Sequence, residues 1–260
     1  MSQFKIKTYV INLPEDTERK ASISQELSKW KCLDPEWVEA VNGKKLGRDK
    51  LGELFDYKKS KRYQSVNLAP GEIGCTLSHY ECYKRLLVSD QEIALIVEDD
   101  IGFDDNTQFE DLLHEAFQYM EREEPVVLLL FSFGDYMGEE TPLKDGYIVY
   151  YIVYNVYKAA MAAIYLINRK AAHIIVSAGH PYWIADDWSL FRRKGVRIRA
   201  LWPLVAHHKD DSLGSTIGWD ERQKRKVRMP RSFLELGVLM DECIRFCLKK
   251  IGIINSHGYT

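Results

Sequence analysis

The chain has 260 residues, 46% of them apolar and 28% charged, the composition of a globular protein with one substantial core. A formal charge of -2 excludes attachment to nucleic acid through a global basic field, and the basic character is concentrated in the stretch from Glu221 to Arg231 (ERQKRKVRMPR). Five cysteines (Cys32, Cys75, Cys82, Cys243 and Cys247), odd in number and without a CxxC pair, predict reduced thiols rather than a disulfide framework or a zinc ribbon. The first residues run directly into a strand-like segment without a signal-peptide pattern, and no apolar run reaches the roughly 18 residues that a membrane span needs. A cytoplasmic protein, soluble or peripheral on a membrane, is the expectation.

In chain order, the β-branched and aromatic run from Ile6 to Leu13 predicts a strand. Thr17 to Trp30 places Ile23, Leu27 and Trp30 on one face of a helix. The charged segment from Lys44 to Val66 reads as irregular and ends in the turn-prone Ala69-Pro70-Gly71. Apolar residues at helical spacing then predict a helix from about Glu72 to Val88. Ile93 to Val97 (IALIV) is a continuous apolar run that stops at Glu98-Asp99-Asp100, as a buried parallel strand does where its C-terminal end meets solvent. Leu112 to Met120 reads as helix, Val126 to Phe133 and Tyr147 to Tyr154 as strands, Ala163 to Ile167 as strand, Arg169 to Ser177 as helix and Val196 to Val205 as a last strand. The alternation predicts an α/β sandwich on a mostly parallel central sheet, occupying residues 1–220. Residues 221–260 read as a basic, amphipathic helical tail, either packed on the domain or lying on an anionic membrane surface.

Three groups of residues carry chemistry. Consecutive carboxylates at Glu98, Asp99 and Asp100 raise one another's pKa unless a positive partner neutralises them. Either a divalent cation, Mg2+ or Mn2+ by the hardness of oxygen ligands, gripping a nucleotide diphosphate, or a solvated acidic turn accounts for them. Asp186-Asp187, set between Trp183 and Trp188, offers a general base beside aromatic faces suited to a sugar ring, or a helix N-cap. His207-His208 follows an apolar strand, and since neighbouring residues in extended chain face opposite ways, at most one of them completes a metal shell. His79 on the second helix and Arg19 after the first strand either meet a phosphate or serve packing and capping. The chain has no Walker loop and no GxGxxG, which disfavours P-loop and dinucleotide chemistry.

Together the blocks VINLPEDTER (from Val10), EAVNGK (from Glu39), GEIGCTLSH (from Gly71), ALIVEDDI (from Ala94), AAIYLINRKAA (from Ala162), IADDWSLF (from Ile184) and PLVAHHKDDSLGSTI (from Pro203) resemble glycosyltransferase family 25. That family comprises bacterial lipooligosaccharide galactosyltransferases and their collagen-modifying relatives. The resemblance runs from Lys7 to near Gly218. It implies a GT-A-like fold, a UDP-sugar donor, most often UDP-galactose, and inverting transfer to a terminal sugar of a lipid-linked core, with β-1,4 the expected linkage. It also implies roles. Glu98 and Asp100 would bind the metal and diphosphate, with Asp99 near the donor sugar or ribose. Asn12, Glu18 and Arg19 would lie near the nucleotide, and Glu72, Ser78 and His79 would line the donor site. Asp187 aligns best as the catalytic base, with Asp186 its competitor. Where relatives tend to have glutamine after the last strand this chain has His207, so the further metal ligand, His207 or else His208, is expected from the residues and not from the resemblance. Other readings are a transferase using UDP-glucose or UDP-N-acetylglucosamine, a non-catalytic carbohydrate-binding module on the same fold, and a nucleotidyltransferase. The last would be expected to show a glycine-rich loop with Arg or Lys where this chain has PEDTERK.

Overall fold

The computed structural model of the chain describes residues 4–64, 67–104, 108–121, 124–132, 135–154, 161–209, 243–244, 246–248, 250–253 and 255–256. Its strands are β1 (Ile6–Asn12), β2 (Leu33–Glu39), β3 (Ile93–Glu98), β4 (Ile101–Phe103), β5 (Val126–Leu129), β6 (Asp135–Pro142), β7 (Ile148–Tyr154), β8 (Ile164–Asn168), β9 (Arg197–Trp202), β10 (Ala206–His208) and β11 (Asn255–Ser256). The helices are α1 (Thr17–Ser28), α2 (Arg48–Leu54), α3 (Tyr57–Gln64), α4 (Pro70–Val88), α5 (Phe109–Glu121), α6 (Arg169–Val176) and α7 (Trp188–Arg193).

Nine strands form one sheet in the order β11-β6-β7-β9-β5-β8-β3-β1-β2, and β10 pairs with β4 in a small second ladder. The mostly parallel sheet expected from the sequence is corrected here to a mixed one. β1 pairs in parallel with β2 and β3, and β5 with β9. By contrast β8 enters antiparallel between β3 and β5, and β6, β7, β9 and β11 pair antiparallel in succession. Apolar runs buried on both faces look alike whichever way the chain crosses the sheet, so composition did not reveal the direction of β8.

Alternate residues of the central strands feed two cores. Ala94 and Ile96 of β3 face Tyr83, Leu86, Ala171 and Phe191 of α4, α6 and α7, whereas Leu95 and Val97 join Ile23, Leu27, Leu112 and Leu113 of α1 and α5 on the other face. β2 carries Pro35 in its middle and is the edge strand at that side, the place where a missing N–H is tolerated. The segment from Lys44 to Val66, expected to be irregular, instead contains α2 and α3. Leu51 and Phe55 anchor it on Ile73 and Leu77 of α4, a tertiary contact that overrides weak local periodicity.

β1 is the switch point that positions the site. Chain connections leave it for β2 on one side while β3 flanks it on the other, so the loops after β1 and β3 part and leave a crevice at the carboxyl ends of the strands. Most of the C-terminal tail, including Glu221 to Arg231, lies outside the described residues; β11 near its end pairs with the edge strand β6. Among the described residues no helix is long and apolar enough to cross a membrane.

Candidate active site

The crevice is a cavity of about 390 Å³ lined by Asn12, Arg19, Cys75, Ser78 and the Glu98-Asp99-Asp100 run, with the Asn42–Lys45 loop as its outer wall. That wall stands where it does because two glycines let backbone touch backbone. A Cβ on Gly43 would lie 1.7 Å from Pro70 O, and one on Gly74 would lie 2.2 Å from Val41 O, both far inside contact distance. Val41 N–H donates to Ser78 Oγ at 2.9 Å, and Ser78 Oγ in turn donates to Gly74 O at 2.8 Å, tying the loop to α4.

The three carboxylates diverge instead of sharing one environment. Asp99 accepts from Asn12 Nδ2 at 2.7 Å and from Arg19 Nη1 at 3.1 Å, so the end of β1 and the first turn of α1 clamp it. Burial nevertheless pushes its carboxyl up to about 6, with Asn12 and Arg19 holding it from rising further and the charge of Asp100 adding to the rise. Asp100 turns toward β10. Its Oδ1 is buried and receives no hydrogen bond, with His208 Nδ1 3.6 Å away and Arg19 Nη1 3.6 Å from Oδ2. Burial acts to raise the Asp100 carboxyl, but His208 and Arg19 outweigh it and the net shift is downward; interaction with Asp100 in turn raises the His208 imidazole against its own burial. Glu98 turns the other way, accepting from the His79 ring at 2.9 Å with Cys75 Sγ at 3.6 Å.

The structure brings some of the residues singled out in the sequence to this cavity and not others. Of the residues expected near the nucleotide, Asn12 and Arg19 line the cavity, whereas Glu18 is exposed in the first turn of α1 and does not line it. Of those expected along the donor site, Ser78 lines it, while Glu72 is buried at the start of α4, where Oε2 accepts from Ala69 N–H at 2.7 Å, a helix-capping arrangement. His79 is buried behind Glu98. His207 stands over Gly102 and bonds the exposed Asp104 at 2.7 Å, so of the two histidines it is His208 that faces Asp100, as the alternation along a strand requires.

Asp187 is the N-cap of α7. It accepts from Leu190 N–H (3.1 Å), Ser189 Oγ (3.0 Å), Tyr63 OH (3.3 Å) and Gln64 Nε2 (3.2 Å). Asp186 is half-buried and its Oδ2 accepts from Met161 N–H at 3.3 Å. Met161 has φ +96°, a conformation that costs a side-chain-bearing residue free energy, and its carbonyl accepts from Trp188 Nε1 at 3.2 Å. The Cys75 thiol is pushed well above its usual range, by burial first and then by the charges of Glu98, Asp186 and Asp100. Trp183 and Trp188, expected to offer faces to a sugar, are corrected to core residues at 1% and 0% exposure, because each indole fills the space between the sheet and α7.

Sequence reasoning missed Cys75, Tyr165 and Tyr83. His79 Nδ1 meets Tyr165 OH at 2.8 Å, and Tyr165 OH meets Tyr83 OH at 2.8 Å, a buried chain behind Glu98. The i, i+4 spacing of Cys75 and His79 was the available signal, since it puts both on one face of α4.

Among known protein families, the model of glycosyltransferase family 25 (LPS biosynthesis protein) matches residues 5–190. A "Glycosyltransferase 25 family member" of Aedes aegypti is 35% identical over 99 residues, 37% of this chain and 16% of that protein. "Procollagen galactosyltransferase 2" of Homo sapiens is 34% identical over 99 residues, again 37% and 16%. The match thus spans about a sixth of the length of these curated relatives. Among solved structures, a UTP-bound UGPase from Acinetobacter baumannii superposes with a TM-score of 0.44 and 10% identity, covering 91% of this chain and 99% of that one.

Proposed function

The chain belongs to glycosyltransferase family 25, and on that premise we propose that it is an inverting, metal-dependent galactosyltransferase. In this reading it moves galactose from UDP-galactose to a terminal sugar of bacterial lipooligosaccharide in β-1,4 linkage. The observation that carries the reading is the buried Asp100 Oδ1, without a hydrogen-bond donor and facing His208, at the mouth of a cavity between β1 and β3. A carboxylate oxygen and an imidazole at that separation fit Mn2+ or Mg2+, and Asp100 and His208, rather than Glu98 or His207, would hold the ion. When bound there, the cation offsets the charge of the departing diphosphate.

The chain's own residues do the rest. Asn12 and Arg19 fix Asp99 against the donor, and the Asn42–Lys45 wall places Lys44 and Lys45 along the cavity, the latter paired with Glu15 at 2.7 Å. Asp186 is assigned as the base, because Asp187 spends its carboxylate on the α7 cap and on the side chains of Ser189, Tyr63 and Gln64, which cannot be released cheaply. Asp186 takes the acceptor hydroxyl proton as the acceptor oxygen bonds to the anomeric carbon and the bond from that carbon to UDP breaks, which inverts the centre.

Galactose is supported by the names of family relatives, and the acceptor by the description of the family model; the human relative's name supports a second acceptor class, a procollagen chain. A lipid-linked acceptor puts the protein at the cytoplasmic face of the inner membrane. Exposed Ile244, Phe246, Ile251 and Ile253, with Lys250 Nζ 5.1 Å from the centre of the Phe246 ring, suit such a surface.

The test is UDP release by the full chain with Mn2+ or EDTA, across UDP-sugars and acceptor glycosides. Release with UDP-galactose that requires metal and acceptor and disappears in Asp100→Ala is expected. A folded protein that binds sugar yet turns over no donor would sink the reading in favour of a non-catalytic carbohydrate-binding module.

A further inference from the structure

Glu98, unlike Asp100, is not used by the proposed ion site, and unlike Asp99 it is not clamped by Asn12 and Arg19; its surroundings have a chemistry of their own. Cys75 Sγ, His79 Nε2 and a Glu98 carboxylate oxygen lie within 4.8 Å of one another. Glu98 Oε1 is 2.9 Å from His79 Nε2 and 3.6 Å from Cys75 Sγ. With the usual zinc bond lengths, the edges of a tetrahedron are about 3.3 Å between nitrogen and oxygen and about 3.5 Å between sulfur and oxygen. The two edges at 2.9 and 3.6 Å therefore fit a tetrahedral centre with small side-chain adjustments.

We infer that Cys75, His79 and Glu98 form a second cation site, selective for a soft divalent ion such as Zn2+. Three further features support it. Cys75 and His79 are i, i+4 on α4, which is packed against the sheet, so two of the three ligands are held at fixed spacing by a rigid element. Cys75 and Glu98 both line the cavity, leaving a fourth position open to water or to a ligand group. Behind the site, the His79 Nδ1 to Tyr165 OH contact supplies the outer partner that orients a ligating imidazole. The Tyr165 hydroxyl serves either tautomer: it donates to Nδ1 when Nε2–H bonds Glu98, and accepts from Nδ1–H when Nε2 binds the ion. Binding releases the Cys75 thiol proton to solvent and leaves a thiolate on the metal. A thiolate favours Zn2+ over Mn2+ and Mg2+, so this site and the Asp100–His208 site select different ions.

The experiment is a Co2+ titration of the full chain carrying Cys243→Ser and Cys247→Ser, which removes the two exposed tail thiols from the readout. The expected result is a thiolate-to-cobalt charge-transfer band and intense tetrahedral visible absorption that saturate at one Co2+ per chain, both erased by Zn2+ but not by Mg2+, independent of any Co2+ held at the Asp100–His208 site. Adding Cys75→Ser removes the charge-transfer band, whereas adding Asp100→Asn leaves it, which separates this site from the proposed catalytic ion. His79→Gln should lower Zn2+ affinity by more than the roughly 10–100-fold that loss of a supporting residue costs. No charge-transfer band in the folded parent, a band that survives Cys75→Ser, or a smaller loss in His79→Gln would overturn the inference, whatever the outcome for UDP release.

Discussion

Substituting the two adjacent aspartates separately divides stability from chemistry. Asp187→Ala removes the α7 cap, which costs about 0.5–2 kcal/mol, and leaves Ser189, Tyr63 and Gln64 facing the space of the lost carboxylate. Ser189 is buried, and a buried polar group left without its partner costs about 1–3 kcal/mol; Tyr63 and Gln64 are half-buried and regain water in part. The sum is about 1.5–5 kcal/mol, and at about 2–4 °C per kcal/mol for a protein of this size the midpoint should fall by roughly 3–20 °C. Asp186→Asn keeps its shape and retains an oxygen for Met161 N–H, so its melting temperature should stay within about 2 °C, while loss of a general base should lower kcat by about 10²–10⁴-fold. Thermal melts and steady-state UDP release on the same preparations read both quantities. If Asp187→Ala melts like the parent but loses turnover, while Asp186→Asn retains it, the assignment of the base is wrong and Asp187 takes the role.

Other perturbations test the remaining parts of the site. Asp100→Ala and His208→Ala should each weaken Mn2+ activation of UDP release, while His207→Ala, whose ring bonds exposed Asp104, should leave the Mn2+ dependence unchanged; equal loss in both histidine variants would refute the ion placement. Gly74→Ala puts a methyl 2.2 Å from Val41 O, so it should cost about 1–3 kcal/mol in denaturant unfolding and raise the KM for the donor by displacing the cavity wall; an unchanged KM would show that the wall does not contact donor. With its carboxyl at about 6 in the fold against 3.8 unperturbed, Asp99 holds its proton more tightly when folded. Its contribution to the ion-free protein is therefore full below 3.8 and lost as the pH rises through about 6, up to about 3 kcal/mol in all, so Asp99→Asn in EDTA should gain on the parent between pH 4 and 7, and a pH-independent difference would contradict the buried carboxyl. Deleting residues beyond Arg231 should reduce sedimentation with anionic vesicles; unchanged sedimentation would rule out the tail as the membrane contact.

Much of this was legible in the sequence. Strong periodicity located β1, α1, α4, β3, α5, β7, β8, α6 and β9 to within a few residues, because each has enough apolar surface to declare its face without help from neighbours. The stop of β3 at Glu98 likewise announced a strand end at a ligand-binding edge, and the structure opens a cavity there. What the sequence left undecided is what depends on direction and on partners far along the chain. The antiparallel insertion of β8 between β3 and β5 has no local signature, and α2 and α3 exist through contacts with α4. The burial of Trp183 and Trp188 and the use of Asp187 as the cap of α7 turn on where α7 meets the sheet. The split of Glu98 toward α4 and Asp100 toward β10 arises only when segments more than a hundred residues apart close around three consecutive carboxylates. Residue type determined that charge would gather at this edge; tertiary packing decided which neighbour each charge would meet.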